Sequence, residues 1–361
     1  MNLPGPARAL AARARDLLRP IDWRGSRPHP EDVRGAFLFD KDRSVASFDG
    51  TEIAYTVLGT RGPWVALVPG FVCPDSHWRY LAPDLARHHR VVVWDLRGLG
   101  LSGTPRPAGY RARNLRPQDF AIEALARDLE AVLDDAGAGR AALIGHSMGG
   151  QTILEAYRRF PKRVTTLVFV TAPHESPMRM FYGRDVTALT RAMDRAVRLL
   201  PRPVPVLAWR ALLLADPSVP HRLAQLVRAL GPEARVEDME AYYRHLGLLD
   251  PLVVLHMAEA MRAHSGADVL PTVRVPALVV AADLDGFCPL GVAEATAEGI
   301  PGAELAVVEG AAHGAIVEKP QEINAAVRGF LERHLRRPER ERGPRRAPAR
   351  SADRRVKSSR S

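Results

Sequence analysis

The chain has 361 residues, of which 46% are apolar, so it can bury a sizeable core and is not disordered throughout. Its formal net charge is +10, but residues 336–361 hold 11 Lys/Arg against 3 Asp/Glu, so the basic balance belongs to the tail and the body is close to neutral. Two cysteines, Cys73 and Cys288, are too few for a disulfide scaffold, and no C-x-x-C or H-E-x-x-H spacing points to a metal, so no cofactor or metal is expected.

Residues 1–43 read as an arginine- and proline-rich extension. Arginines at 8, 13, 15 and 19 break up any apolar run there, which argues against a secretory signal. No stretch reaches about 20 uncharged apolar residues, so no membrane-spanning helix is expected and a cytoplasmic enzyme is the default. Residues 6–19 can form one short amphipathic helix lying on the domain; its apolar face is mostly alanine, a poor membrane anchor.

From residue 44 the texture changes. Residues 45–48 and 53–58 read as strands joined at Asp49-Gly50, a hairpin signal. Residues 64–68 and 90–94 are short buried strands, with helical spacing over 78–88 between them. Residues 120–136 carry Ile122, Leu125, Leu129, Val132 and Leu133 on one helical face and are closed by Gly137. A strand at 141–144, a helix at 148–160 and a strand at 164–170 follow. Strands alternating with helices predict a mostly parallel α/β sheet covered on both faces.

The alternation stops over 174–266, where the pattern is helical and broken by prolines at 201, 203, 205, 217, 220, 232 and 251. It resumes with a strand at 277–281, a helix at 290–298, a strand at 304–308 and a helix at 322–334. The organisation expected is a core in two parts, 44–173 and 267–335, with a helical lid at 174–266 between them. Residues 336–361 are a basic tail too poor in large apolar residues to fold alone.

Gly145-His146-Ser147-Met148-Gly149 spells G-x-S-x-G between a predicted strand and a predicted helix. A nucleophile on so tight a turn needs small neighbours, and the helix N-terminus beneath it offers N–H groups to developing negative charge. At this point the sequence resembles the α/β-hydrolase superfamily, in its branch of serine esterases, haloperoxidase-like enzymes and C–C hydrolases. The resemblance covers roughly residues 44–335. It rests on Leu67-Val68-Pro69-Gly70-Phe71, on Asp95-Leu96-Arg97-Gly98-Leu99-Gly100-Leu101-Ser102, on the 145–150 elbow, and on Asp285 and His313 in the family's order of serine, acid, histidine.

What the resemblance implies is specific. Ser147 is the nucleophile, His313 its general base, and Asp285 the carboxylate that orients the histidine. The backbone N–H groups of Phe71 and Met148 form the oxyanion hole. Asp283 competes for the acid role, but the family places its acid four residues before a proline, which selects Asp285 over Asp283. Asp95 and Arg97 read as bracing, His146 as a packing or orienting residue, and the cysteines as small buried hydrophobes. Both cysteines lie near predicted active-site loops, so a thiol effect on activity is a side hypothesis.

Departures from the family pattern matter as well. Pro69-Gly70 stands where many members have His-Gly. Gly314 replaces the aromatic that most members place after the histidine, which implies a wider pocket. Serine rather than aspartate at 147 argues against epoxide-hydrolase and dehalogenase chemistry. Gly98 to Gly103 spells G-x-G-x-x-G, but Thr104-Pro105-Arg106-Pro107 follows where a dinucleotide site needs a helix. Met178, Met180, Phe181, Tyr182, Trp209, Tyr242 and Tyr243 in the lid fit either a helical core or an apolar substrate pocket.

The function expected is hydrolysis of a small, largely apolar ester through an acyl-enzyme. C–C, thioester or lactone hydrolysis and cofactor-free perhydrolysis share the same triad, and a binding protein that keeps the fold is the reading from another class. No specific nucleic-acid partner is expected, since few aromatics interleave the tail arginines; weak anionic-surface contact through the tail stays open. The oligomeric state is not readable.

Overall fold

The computed structural model describes residue 17 and residues 37–105, 115–176, 185, 187–201 and 203–335. In chain order the elements are β1 (Arg43–Ala46), β2 (Glu52–Leu58), β3 (Trp64–Val68), α1 (Leu81–Ala86), β4 (Arg90–Trp94), α2 (Ile122–Asp135), β5 (Ala141–His146), α3 (Gly149–Arg159) and β6 (Val164–Val170). Five helices follow: α4 (Thr187–Leu199), α5 (Pro203–Leu214), α6 (Ser218–Leu226), α7 (Val236–Leu248) and α8 (Pro251–Ala263). The chain ends in β7 (Ala277–Ala282), α9 (Leu290–Gly299), β8 (Glu304–Val308), α10 (Ala315–Glu318) and α11 (Pro320–His334).

The eight strands form one sheet in the order β1-β2-β4-β3-β5-β6-β7-β8. Only β2 runs against the others, and from β4 to β8 every pairing is parallel. Side chains alternate across the sheet, so each strand feeds two cores. Ala66, Val92, Leu143 and Phe169 meet α2 and α3 on one face, while Val65, Val93, Ile144 and Val168 meet α1 and α11 on the other. This is the doubly covered sheet that the buried valine-rich strands predict.

The helical spacing over 78–88 resolves into two pieces. A 3-10 turn covers Asp75–Trp78, and α1 starts only at Leu81. Pro83 explains the break: lacking an N–H, it fits the first turn of a helix and disrupts an interior one. The short helix α10, just after His313, is too brief to carry a periodic signal and is absent from the sequence reading.

The helices α4–α8 occupy the interval between β6 and β7, and Glu175 pairs antiparallel with Ser265 where the insertion leaves and rejoins the sheet. Among the described residues no helix is long and apolar enough to cross a membrane.

Candidate active site

The elbow begins with β5, all six residues of which are buried at the centre of the sheet. Between this strand and α3, Ser147 adopts φ 54°, a left-handed conformation that a non-glycine residue enters only under constraint. Glycines flank it because space is missing: a Cβ on Gly145 would run into the backbone of Gly149 and Gly150, and one on Gly149 would collide with the Val68 carbonyl. The serine is thus held above the ends of β3 and β5, at the N-terminus of α3.

The structure brings the three predicted catalytic residues together. His313 Nε2 lies 2.8 Å from Ser147 Oγ, and His313 Nδ1 lies 2.9 Å from Asp285 Oδ2 and 3.1 Å from Oδ1. Asp285 is buried, and its Oδ1 also accepts the N–H groups of Phe287 at 2.7 Å and Cys288 at 2.9 Å. Asp283 faces elsewhere: its carboxylate accepts the Gly310 N–H at 2.8 Å and so ties the acid loop to the base loop. With the Nδ1 proton directed at Asp285, Nε2 presents its lone pair to the serine hydroxyl.

The loop after β3 curls over the serine. Cys73 N–H donates to Gly70 O at 3.2 Å, closing a turn whose central residue Val72 sits at φ 48°, a costly conformation for a β-branched side chain. Among the described residues neither the Phe71 nor the Met148 N–H has a backbone acceptor.

Thr171 and His77 join the site without any signal in the sequence, beside His146, expected to pack or orient. The His313 carbonyl is gripped twice: Thr171 Oγ1 donates to it at 3.1 Å and His146 Nε2 lies 3.3 Å away. His146 packs 5.4 Å from the His313 ring and 5.4 Å from the His77 ring, and His77 stands 5.0 Å from Tyr242. Burial pushes His77 down to about 3, helped by charge on His313 and Arg79, and burial likewise pushes His146 well below its usual range. Burial thus favours the neutral form of both imidazoles, and the His146 ring packs between those of His77 and His313.

The inserted helical block α4–α8, or cap, reaches the same loop. Ala229 O accepts the Gly314 N–H at 2.9 Å, and Arg228 O stands 3.4 Å from Gly286 N and 3.5 Å from His313 N. Glu318 Oε2 accepts the Ala312 N–H at 3.0 Å. Burial raises the Glu318 carboxyl above its usual range, and its Oε1 has no hydrogen-bond partner among the described residues. The widening expected from Gly314 does not occur. Leu230 of the cap fills that space: a Cβ at 314 would meet Leu230 Cδ2 at 2.5 Å and Glu318 Oε1 at 2.7 Å.

Of the lid aromatics named above, Tyr242 approaches the site, while Tyr243 bonds to His221 and Trp209 donates to Leu246 O, both inside the cap. Met178, Met180, Phe181 and Tyr182 lie outside the described residues. Phe287 packs its ring 5.2 Å from His313.

Arg97 and Asp95 brace the neighbouring loop. Arg97 forks onto Asp128 at 2.7 and 2.5 Å and reaches Asp49 at 2.8 Å, and Asp95 accepts the Leu101 N–H at 2.9 Å. No helix opens in the described part of the glycine-rich stretch after β4. Among the described residues no group of His, Cys, Asp or Glu is placed to hold a metal.

Lys41, in the segment before β1, reaches into this region. Its Nζ lies 2.5 Å from Asp75 and 3.5 Å from Asp95, with all three side chains almost fully buried. Asp75 also accepts the N–H groups of Leu38 and Phe39 at 2.9 and 3.1 Å. The segment entering β1 is thereby fastened to the stretch that follows Phe71.

The family model for the alpha/beta hydrolase fold matches residues 63–320. The chain belongs to this family. A protein of Azorhizobium caulinodans named as a carbamate hydrolase, RutD, is 29% identical over 282 residues, covering 77% of this chain and 94% of its own. Epoxide hydrolase 3 of Xenopus tropicalis is 26% identical over 294 residues, covering 78% of this chain and 75% of its own. Among solved structures, the esterase EaEST of Exiguobacterium antarcticum superposes with a TM-score of 0.64 at 20% identity, over 80% of this alpha/beta hydrolase chain and 98% of its own.

Proposed function

We propose that this alpha/beta hydrolase is a serine hydrolase of small, largely apolar esters. The observation that carries the reading is the continuous relay from Ser147 Oγ through both nitrogens of His313 to Asp285, at 2.8 and 2.9 Å. A serine hydroxyl needs a base within hydrogen-bond reach before it attacks, and the base needs a partner that fixes its tautomer.

In this mechanism Ser147 Oγ adds to the acyl carbon while its proton passes to His313 Nε2. The oxyanion settles between the N–H groups of Phe71 and Met148, and Asp285 stays ionised beside the imidazolium. Nε2 then returns the proton to the departing alkoxide, leaving an acyl-enzyme. Water adds to that acyl group with His313 again taking a proton, and the acid leaves as Ser147 is restored. The apolar preference is supported by Phe287 against His313 and by Tyr242 behind His77.

The presence of serine at 147 supports acyl transfer over the alkyl-enzyme route, which needs a carboxylate nucleophile. Thioester, lactone, carbamate and C–C substrates use the same relay, so a substrate panel decides among them. The primary test is labelling with a fluorophosphonate probe and mapping the adduct by mass spectrometry. Stoichiometric labelling of Ser147, absent in Ser147→Ala, is expected. A folded protein that takes up no probe would point instead to a binding role.

A further inference from the structure

The cap carries an apolar surface that the proposed reaction does not use. Among the described residues, nine of the thirteen exposed large apolar side chains fall between Leu199 and Val227. Their spacing is regular. On α5 the exposed positions include Val204, Leu207, Ala208, Ala211 and Leu212, the i, i+3, i+4, i+7, i+8 set of one helical face. On α6 and its C-cap, Val219, Leu223, Leu226 and Val227 take the i, i+4, i+7 and i+8 positions with Arg222 at i+3, and Leu226 is 76% exposed. The two helices pack against each other.

The opposite side of α5 is already covered. Val206 and Leu213 are buried there, and Trp209 donates to Leu246 O of α7 at 2.8 Å. The one charged residue of α5, Arg210, is buried. A helix apolar all round is normally covered all round, so the outer face of α5 is built for a partner.

Charge identifies the partner. Residues 187–230 hold seven arginines against two aspartates and no lysine or glutamate. Arg222, on α6 itself, and Arg228, two residues past its end, are both exposed. An apolar helical face that carries exposed arginines is the composition of a surface that lies in a lipid headgroup layer. A second copy of this chain fits less well, because a two-fold pairing sets the same cations against themselves.

We propose that the α5–α6 face of the cap docks on an anionic lipid surface. The placement has a consequence for the site. α6 runs directly into Arg228, Ala229 and Leu230, which touch the Asp285 and His313 loops, so docking sets the lipid beside the elements that hold the triad.

The test uses the full-length protein in flotation with phosphatidylcholine vesicles, with and without phosphatidylglycerol, comparing wild type with Leu207→Glu/Leu223→Glu. Both leucines are exposed, so the variant is expected to keep its melting temperature and its labelling by a soluble fluorophosphonate. The wild type is expected to float with the anionic vesicles, and the variant to lose about tenfold or more of that binding. Absence of wild-type flotation overturns the proposal. Flotation that survives the double substitution overturns it too, assigning attachment to the basic ends. A wild-type dimer dispersed by the same substitutions, without vesicle binding, makes the face a contact between copies and also overturns it.

Discussion

Replacing Lys41 with methionine is expected to destabilise the protein although Lys41 touches no proposed catalytic residue. The ammonium sits between Asp75 and Asp95, with side-chain exposures of 0%, 0% and 3% for the three. Removing it leaves two carboxylates facing each other out of water, and breaking a buried ion pair in this way costs about 3–5 kcal/mol. At about 2–4 °C per kcal/mol for a domain of this size, the melting temperature should fall by roughly 6–20 °C. Burial already raises the Asp95 carboxyl, and without Lys41 it should rise further. A raised carboxyl penalises the fold above its folded pKa and stops doing so once it is protonated. The deficit should therefore be largest at neutral pH and shrink toward acid pH. Lys41 itself is raised, so in the wild type its contribution is complete at neutral pH and is lost only as pH climbs past the lysine range. Thermal melts of both proteins from acid to neutral pH measure this directly. A shift of under about 2 °C, or a deficit independent of pH, would refute the buried-pair reasoning.

Other outcomes follow from the site. Asp285→Asn should lower kcat by roughly 10⁴-fold with little change in KM, because the amide fixes the wrong tautomer of His313; steady-state kinetics on any turned-over ester reads this out. Gly314→Phe should cost about 1–3 kcal/mol by overpacking against Leu230 and Glu318, and Leu230→Ala in the same chain should restore part of the melting temperature. Burial pushes the Cys73 thiol up to about 12 and the Cys288 thiol well above its usual range. Native protein treated with iodoacetamide at neutral pH should therefore keep its activity, with Cys73 modified on the order of 10³-fold more slowly than a free thiol.

Much of the fold was legible because buried parallel strands are short, apolar and bounded. The strands at 64–68, 90–94, 164–170 and 304–308 match β3, β4, β6 and β8 residue for residue. Ser147, His313 and Asp285 were legible because each sits on a loop at a strand end, in a fixed order with local spacing. The contributors that escaped are those whose meaning is long-range. Thr171 is separated from His313 by 142 residues, and nothing near it in sequence marks a hydroxyl that grips a carbonyl. Lys41 sat in a stretch read as an extension, and its buried partners are 34 and 54 positions away. Gly314 shows the same limit: the local residue suggested empty space, while Leu230, far off in the chain, occupied it.

The bridge between Glu175 and Ser265 has a consequence for how such a protein diversifies. Glu175 and Ser265 lie side by side in this bridge, so whatever is spliced between them starts and finishes at nearly the same point. The entropy of closing a loop grows only with the logarithm of its length, about 0.6 kcal/mol for each doubling. The sheet is thus nearly indifferent to the size of its insert. An insert between these two residues can therefore change in length at little entropic cost to the sheet, and selectivity can evolve in it as a graft, provided that the new piece still offers acceptors where the Arg228 and Ala229 carbonyls now meet the acid and base loops.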